Sequence, residues 1–261
     1  MSRGPPRAEG VVPDLANRRV IFVGASSGIG AAAAVQAARA GARVVVSARR
    51  ADRLAGVVEQ CDGDAHAIVC DVREPASCDD LIARSVEYLG GIDAVVYATA
   101  IDPLVMLVDT DAARWHDVLA TNVVGASLVC RAALPHLAAS GGRYVFVSAT
   151  SVGRPLPGMG AYETSKAAVE ELARAWRGEH PEVGFSTVAV GNTLGTDVTA
   201  SWDPALLGGL SATWAQRGYV HDNGPGAMSV DAAAAAVLSV LDADADVRFV
   251  LAAPPPGSTF D

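Results

Sequence analysis

The chain has 261 residues, 51% of them hydrophobic and 19% charged, with a formal net charge of −9. That length and apolar content suit one large α/β domain rather than two small ones. The acidic balance, without a basic cluster, argues against nucleic acid as the main partner.

Met1 to Asn17 carries Pro5, Pro6 and Pro13 but no apolar stretch, so it does not read as a signal peptide. It is expected to be a flexible N-terminal extension (1–17) of a domain spanning 18–261. Val20–Val23 is an apolar run that predicts a buried strand, and the alanine-rich Ala31–Ala40 predicts a helix. Gly24, Gly28 and Gly30 lie between them, in a strand-to-helix turn also holding Ser26, Ser27 and Ile29. Glycines there permit a tight turn and the approach of a pyrophosphate, and the helix start supplies free N–H groups and a partial positive charge.

Further along, Arg43–Ala48 predicts a second strand and Ala51–Gln60 a helix. Ala67–Cys70 is a short third strand ending at Asp71 and Val72, and Ala76–Leu89 a helix. Ala94–Tyr97 is a fourth strand. Asp111–Leu137 is a long helical stretch whose last turn is expected to break at Pro135. Tyr144–Val147 is a fifth strand, Tyr162–Arg177 a helix, Phe185–Val190 a sixth strand, Asp231–Leu241 a helix and Val247–Leu251 a last strand. Repeated βα units with continuous apolar strands imply a Rossmann-type, doubly wound domain. It would be a parallel sheet of about seven strands with helices on both faces. Residues 197–228, with Trp202, Trp214, Tyr219 and His221, break the pattern and read as a lid-like insertion over an apolar substrate.

Cys61, Cys70, Cys78 and Cys130 have no metal-ligand spacing, so they read as reduced thiols of a cytoplasmic protein, and no metal site is expected. No apolar stretch of membrane-spanning length is free of charges and breakers, so no membrane span is expected either.

Two sites carry chemistry. Arg49 and Arg50 follow the second strand, where an acidic residue would bind a ribose 2′-hydroxyl; arginines there favour NADP(H) over NAD(H). Asp71 is placed to accept from an adenine amino group, or simply to form a turn. Tyr162 and Lys166 are four apart on a helix and share a face. An ammonium near a phenol lowers its pKa and makes the pair a general acid/base.

On these motifs the chain resembles the short-chain dehydrogenase/reductase family across nearly all of residues 18–251. The resemblance implies a cofactor loop of Gly24, Gly28 and Gly30 with Ile29 at the pyrophosphate, and an adenine-contacting pair of Asp71 and Val72. It makes Asn122 the holder of a proton-relay water, Tyr162 the acid/base, and Lys166 its partner and a contact of the nicotinamide ribose. Thr196 would lie near the carboxamide. It also implies a homodimer or homotetramer. The chain departs from the pattern in three places. Ala149 stands where the family has its catalytic serine, flanked by Ser148 and Ser151; Tyr97-Ala98-Thr99-Ala100 replaces Asn-Asn-Ala-Gly; and Gly191-Asn192 replaces Pro-Gly. The leading expectation is an NADP(H)-dependent carbonyl reductase or alcohol dehydrogenase for an apolar, bulky substrate. Ala149 keeps two others open: non-redox chemistry (cyclisation, isomerisation or dehydration) with Tyr162 as acid/base, and a nucleotide-binding protein without catalysis.

Overall fold

The computed structural model describes residues 14–217, 226–241, 243 and 245–254. Seven strands form one parallel sheet in the order β3-β2-β1-β4-β5-β6-β9. They are β1 Arg19–Val23, β2 Arg43–Ala48, β3 Ala65–Val69, β4 Ala94–Tyr97, β5 Arg143–Ala149, β6 Gly184–Val190 and β9 Phe249–Ala252. A short parallel pair, β7 Thr193–Leu194 and β8 Met228–Ser229, lies apart from it. The chain order reverses between β1 and β4, which makes the carboxyl ends of those strands the natural binding crevice.

Alternation along the strands supplies both cores. Val20, Phe22, Val44, Val46 and Val96 pack in one cluster with the alanines of α1 Gly28–Arg39 and of α8 Val230–Leu238. Ile21, Val45, Val95, Tyr144 and Phe146 pack in the other, with α3 Pro75–Leu89, α5 Gly125–Ser140 and α6 Gly160–Glu179. Successive side chains of a strand point to opposite faces, so near-continuous apolar runs require cover on both. The remaining helices are α2 Ala51–Gln60, α4 Ala112–Leu119 and α7 Pro204–Gln216.

The expected elements all occur among the described residues, most with ends shifted by one to three residues. Three expectations change more substantially. The long helical stretch does not break at Pro135. α5 runs through that proline to Ser140 and stops at Gly141, whose φ of 62° takes the left-handed turn that ends helices. The interruption comes earlier, as a π-helical turn over Ala120–Val124 in which the Gly125 N–H reaches back five residues to Ala120. The whole stretch Ala112–Ser140 is long and apolar enough by composition to cross a membrane, with a window of mean hydropathy 1.5. Here it buries Val129, Cys130, Ala133 and Leu137 against the sheet.

Residues 14–17, expected in a flexible extension, are instead tied to the fold. Leu15 is fully buried in the core, and the Asn17 N–H donates to the Gly41 carbonyl at 2.9 Å. Residues 1–13 lie outside the described part. Finally, the 197–228 insertion is not irregular throughout: α7 occupies its middle, starting at Asp203, whose carboxylate accepts from the Ala205 N–H. Tyr219 and His221 lie outside the described residues. All four cysteines are free thiols and buried.

Candidate active site

A cavity of about 830 Å³ opens at the carboxyl ends of the strands. Every cofactor-binding and catalytic residue expected from the sequence lines it except Asn122. At one end is the β1–α1 turn. Gly24 has φ 90° and Gly28 φ 58°, values costly for any side chain. A Cβ on Gly24 would sit 2.6 Å from the Thr99 N, and one on Gly30 2.5 Å from the Gly24 carbonyl oxygen. Gly28 packs against Thr196, with 3.4 Å between its Cβ position and that side chain. Helix α1 begins at this turn with no side-chain cap from Ser27 and no acidic residue in its first turn. Its first N–H groups are therefore aimed at the cavity as an anion site. The residues present thus fit a dinucleotide pyrophosphate.

The arginines divide. Arg50 donates to Ser26 Oγ at 2.9 Å and to Asp197 Oδ2 at 3.1 Å, and Arg53 also pairs with Asp197. Arg49 is exposed and makes no ion pair among the described residues. Asp71 is not waiting for an adenine amino group alone. Its Oδ2 accepts from the Arg73 guanidinium at 2.6 Å, which holds its pKa below the usual carboxylate range. Val72 is buried and packs where a side chain on Gly125 would fall.

At the other end α6 presents Tyr162 and Lys166. The Lys166 Nζ lies 5.6 Å from the centre of the Tyr162 ring and donates to the Val147 carbonyl at 2.8 Å. Burial lowers the ammonium to about 8, partly opposed by the Asp102 charge. The phenol behaves otherwise than the sequence reasoning expects. Burial first, then the charges of Asp102 and Glu163, push Tyr162 well above its ordinary value. Desolvation dominates, and the buried Lys166 ammonium is engaged by the Val147 carbonyl. Tyr162 therefore holds its proton across the neutral range.

Asn122 sits within the π turn, 1% exposed. Its Oδ1 accepts from the Ile101 N–H at 2.9 Å, while its Nδ2 donates to the Ile101 carbonyl at 3.0 Å and to Ser165 Oγ at 2.8 Å. Its side chain is thus a clamp on the loop after β4, which fully engages it. The unusual Tyr97 has a local reason: its hydroxyl donates to the Thr121 carbonyl in the same turn at 2.6 Å.

Neither flanking serine takes the place of the family's serine at Ala149. Ser148 shares the strand face of Tyr144 and Phe146, and its hydroxyl donates to Glu170 Oε1 of α6 at 2.8 Å. The Ser151 hydroxyl bonds Glu163, which also accepts from the Leu156 N–H at 3.1 Å. Burial raises Glu163 to about 7. Sequence reasoning missed both Glu163 and Asp102. The signal for Asp102 was present: a lone acid in an apolar stretch shortly after a strand end. Trp202 and Trp214 line the cavity with Leu156, Met159 and Leu207, edge to face at 6.4 Å. Met106 is exposed and does not line it.

This architecture defines a Rossmann-type protein with a tyrosine–lysine pair beside the crevice. The short chain dehydrogenase family model matches residues 18–206, and the chain belongs to that family. A dehydrogenase/reductase SDR family member 4 from Bos taurus is 30% identical over 208 residues, 77% of this chain and 75% of its own. The mitochondrial dehydrogenase/reductase SDR family member 2 from Homo sapiens is 32% identical over 164 residues, 61% of this chain. A short chain dehydrogenase from Burkholderia cenocepacia J2315, solved in complex with NADP, superposes with a TM-score of 0.76 at 27% identity. That match covers 92% of this chain and 98% of that one. The chain spans only 59% of the human protein's length, and 53% of an 11-beta-hydroxysteroid dehydrogenase A from Sesamum indicum.

Proposed function

We propose that the protein is an NADP(H)-dependent reductase of apolar, bulky carbonyl compounds. One observation carries the reading: Tyr162 lines the cavity with Lys166 beside its ring, and burial, then the charges of Asp102 and Glu163, oppose ionisation of the phenol. A neutral phenol facing the cavity is a proton donor, and reduction of a carbonyl needs one. When bound, the reduced nicotinamide would supply the hydride. Gly24, Gly28, Ile29 and Gly30 would admit the pyrophosphate to the start of α1, with Ser26 and Ser27 beside it. Asp71 and Val72 would border the adenine and Thr196 the carboxamide. Arg49 is the cation best placed for a 2′-phosphate, since Arg50 already carries Asp197. Lys166 would orient the nicotinamide ribose, and its charge would replenish the proton on Tyr162. Asn122 would fix the loop that forms the wall opposite. The tryptophans and leucines of the insertion would hold the substrate's apolar part.

The test is a fluorescence titration with NADPH and NADH, followed by NADPH oxidation with a panel of aryl and alicyclic ketones. Tighter binding of NADPH and turnover of the bulkier ketones are expected. Binding without any turnover would shift the reading to acid/base chemistry without redox, which the engagement of Ser148 and Ser151 favours. No binding of either nucleotide would overturn both.

A further inference from the structure

Asp102 is 3% exposed, lines the catalytic end of the cavity, and leaves its Oδ1 without a hydrogen-bond partner. An unsatisfied buried polar atom costs about 1–3 kcal/mol, so a fold that keeps one needs a reason. The position is built rather than incidental. Asn122 holds both backbone polar groups of the preceding residue, Ile101. From the other side the Trp202 Nε1–H donates to the Asp102 carbonyl at 2.8 Å. The residue is thus fixed between the helix behind the site and the insertion that covers it. Three titratable groups of α6 act on it or feel it: Lys166, Glu163 and Tyr162.

We propose that the Asp102 carboxyl is the hydrogen-bond partner of the reacting substrate oxygen, in place of the serine absent at Ala149. This rests on the carbonyl-reductase reading. A substrate carbonyl accepts hydrogen bonds, so its partner must donate, and a carboxyl donates only when protonated. Burial and the Glu163 charge raise Asp102 to about 8, against a smaller opposing effect of Lys166, so it keeps its proton at neutral pH. In that step a bound reduced nicotinamide would supply the hydride for the new C–H bond at the carbonyl carbon and would be oxidised in doing so. The C=O π pair moves to oxygen, which takes the Tyr162 proton. Asp102 donates a hydrogen bond throughout and retains its proton, easing the charge that develops on that oxygen.

The experiment is a mutant cycle on the full chain at pH 6.5, where Asp102 is protonated, using the same ketone panel and the NADPH titration. Asp102→Ala should lower kcat by about 100-fold, the scale of losing one oxyanion donor, with NADPH affinity unchanged. Adding Ala149→Ser to Asp102→Ala should recover at least about tenfold of that loss, while Ala149→Ser alone changes little. A residue of purely structural importance would not be rescued by a hydroxyl on another strand. Asp102→Asn, which is isosteric and still donates, should fold and keep most of the activity. A second readout needs no turnover: on the Tyr162→Phe protein with NADP+, the carbonyl stretch of bound acetophenone should rise in frequency when Asp102→Ala is added. Wild-type rates in Asp102→Ala, or absence of rescue, would overturn the proposal alone. An unshifted stretch would do the same. A wild-type protein that binds NADPH but reduces no ketone would remove the carbonyl-reductase reading, and this proposal with it.

Discussion

At the β1–α1 turn the cavity wall is backbone: Gly24, Gly28 and Gly30 bring main-chain N–H groups and a helix start to the surface. At the opposite end the wall is side chains: Tyr162, Lys166, Asp102, Ala149 and the two tryptophans. The first end is intolerant of added atoms, since Cβ positions on Gly24 and Gly30 already meet main chain below 3 Å. The second depends on ionisation, because burial first, and the charges of neighbouring groups second, move the pKa values of three titratable groups away from those in water. A family that varies its substrates while keeping its cofactor needs that division: backbone geometry for the shared ligand, exchangeable side chains for the variable one.

Substitutions can break this contrast in order of effect. Tyr162→Phe should lower kcat for ketone reduction by about 10³-fold, with NADPH affinity unchanged by fluorescence titration. Loss of nucleotide binding instead would place Tyr162 in the nucleotide pocket rather than the chemistry. Gly30→Ala should act the other way. Its Cβ would lie 2.5 Å from the Gly24 carbonyl oxygen, an overpacking cost of about 1–3 kcal/mol. NADPH Kd should rise at least about tenfold while the Tyr162 region, read by its tyrosine titration, is undisturbed.

Arg49→Ala should weaken NADPH by about tenfold and leave NADH unchanged, the worth of one charge-assisted phosphate contact. Equal loss for both nucleotides would reject the 2′-phosphate role. The smallest effect is on stability. Asp102 has its folded pKa raised to about 8, so between the unfolded carboxylate value and pH 8 the folded state holds a proton that the unfolded chain lacks. Its contribution is present at low pH and is lost as pH rises through that window. Asp102→Asn should therefore leave Tm unchanged below about pH 4 and raise it progressively from there to about pH 8, at about 2–4 °C per kcal/mol. A Tm difference independent of pH would place Asp102 in water.

The readable parts were those with strong local causes. Alternating βα units, the glycine turn and the Tyr162–Lys166 spacing each follow from short-range geometry, and the structure brings their residues to one cavity. The unread parts depend on contacts far apart in the chain. The helix break lies at the π turn rather than at Pro135, where Tyr97 and Asn122 engage the backbone of residues distant in sequence. Leu15 looks like a tail residue until Gly41 and the core close over its segment. Ser148 and Ser151 both look available until Glu170 and Glu163 occupy them.

Hydrophobic period and glycine placement alone determined the sheet, its two covered faces and the position of the crevice, because strand alternation and turn sterics act over a few residues. Ionisation was left to the tertiary structure. A phenol, an ammonium and a carboxyl have ordinary pKa values in any sequence, and only burial in the fold moves them, raising the phenol and the carboxyl and lowering the ammonium.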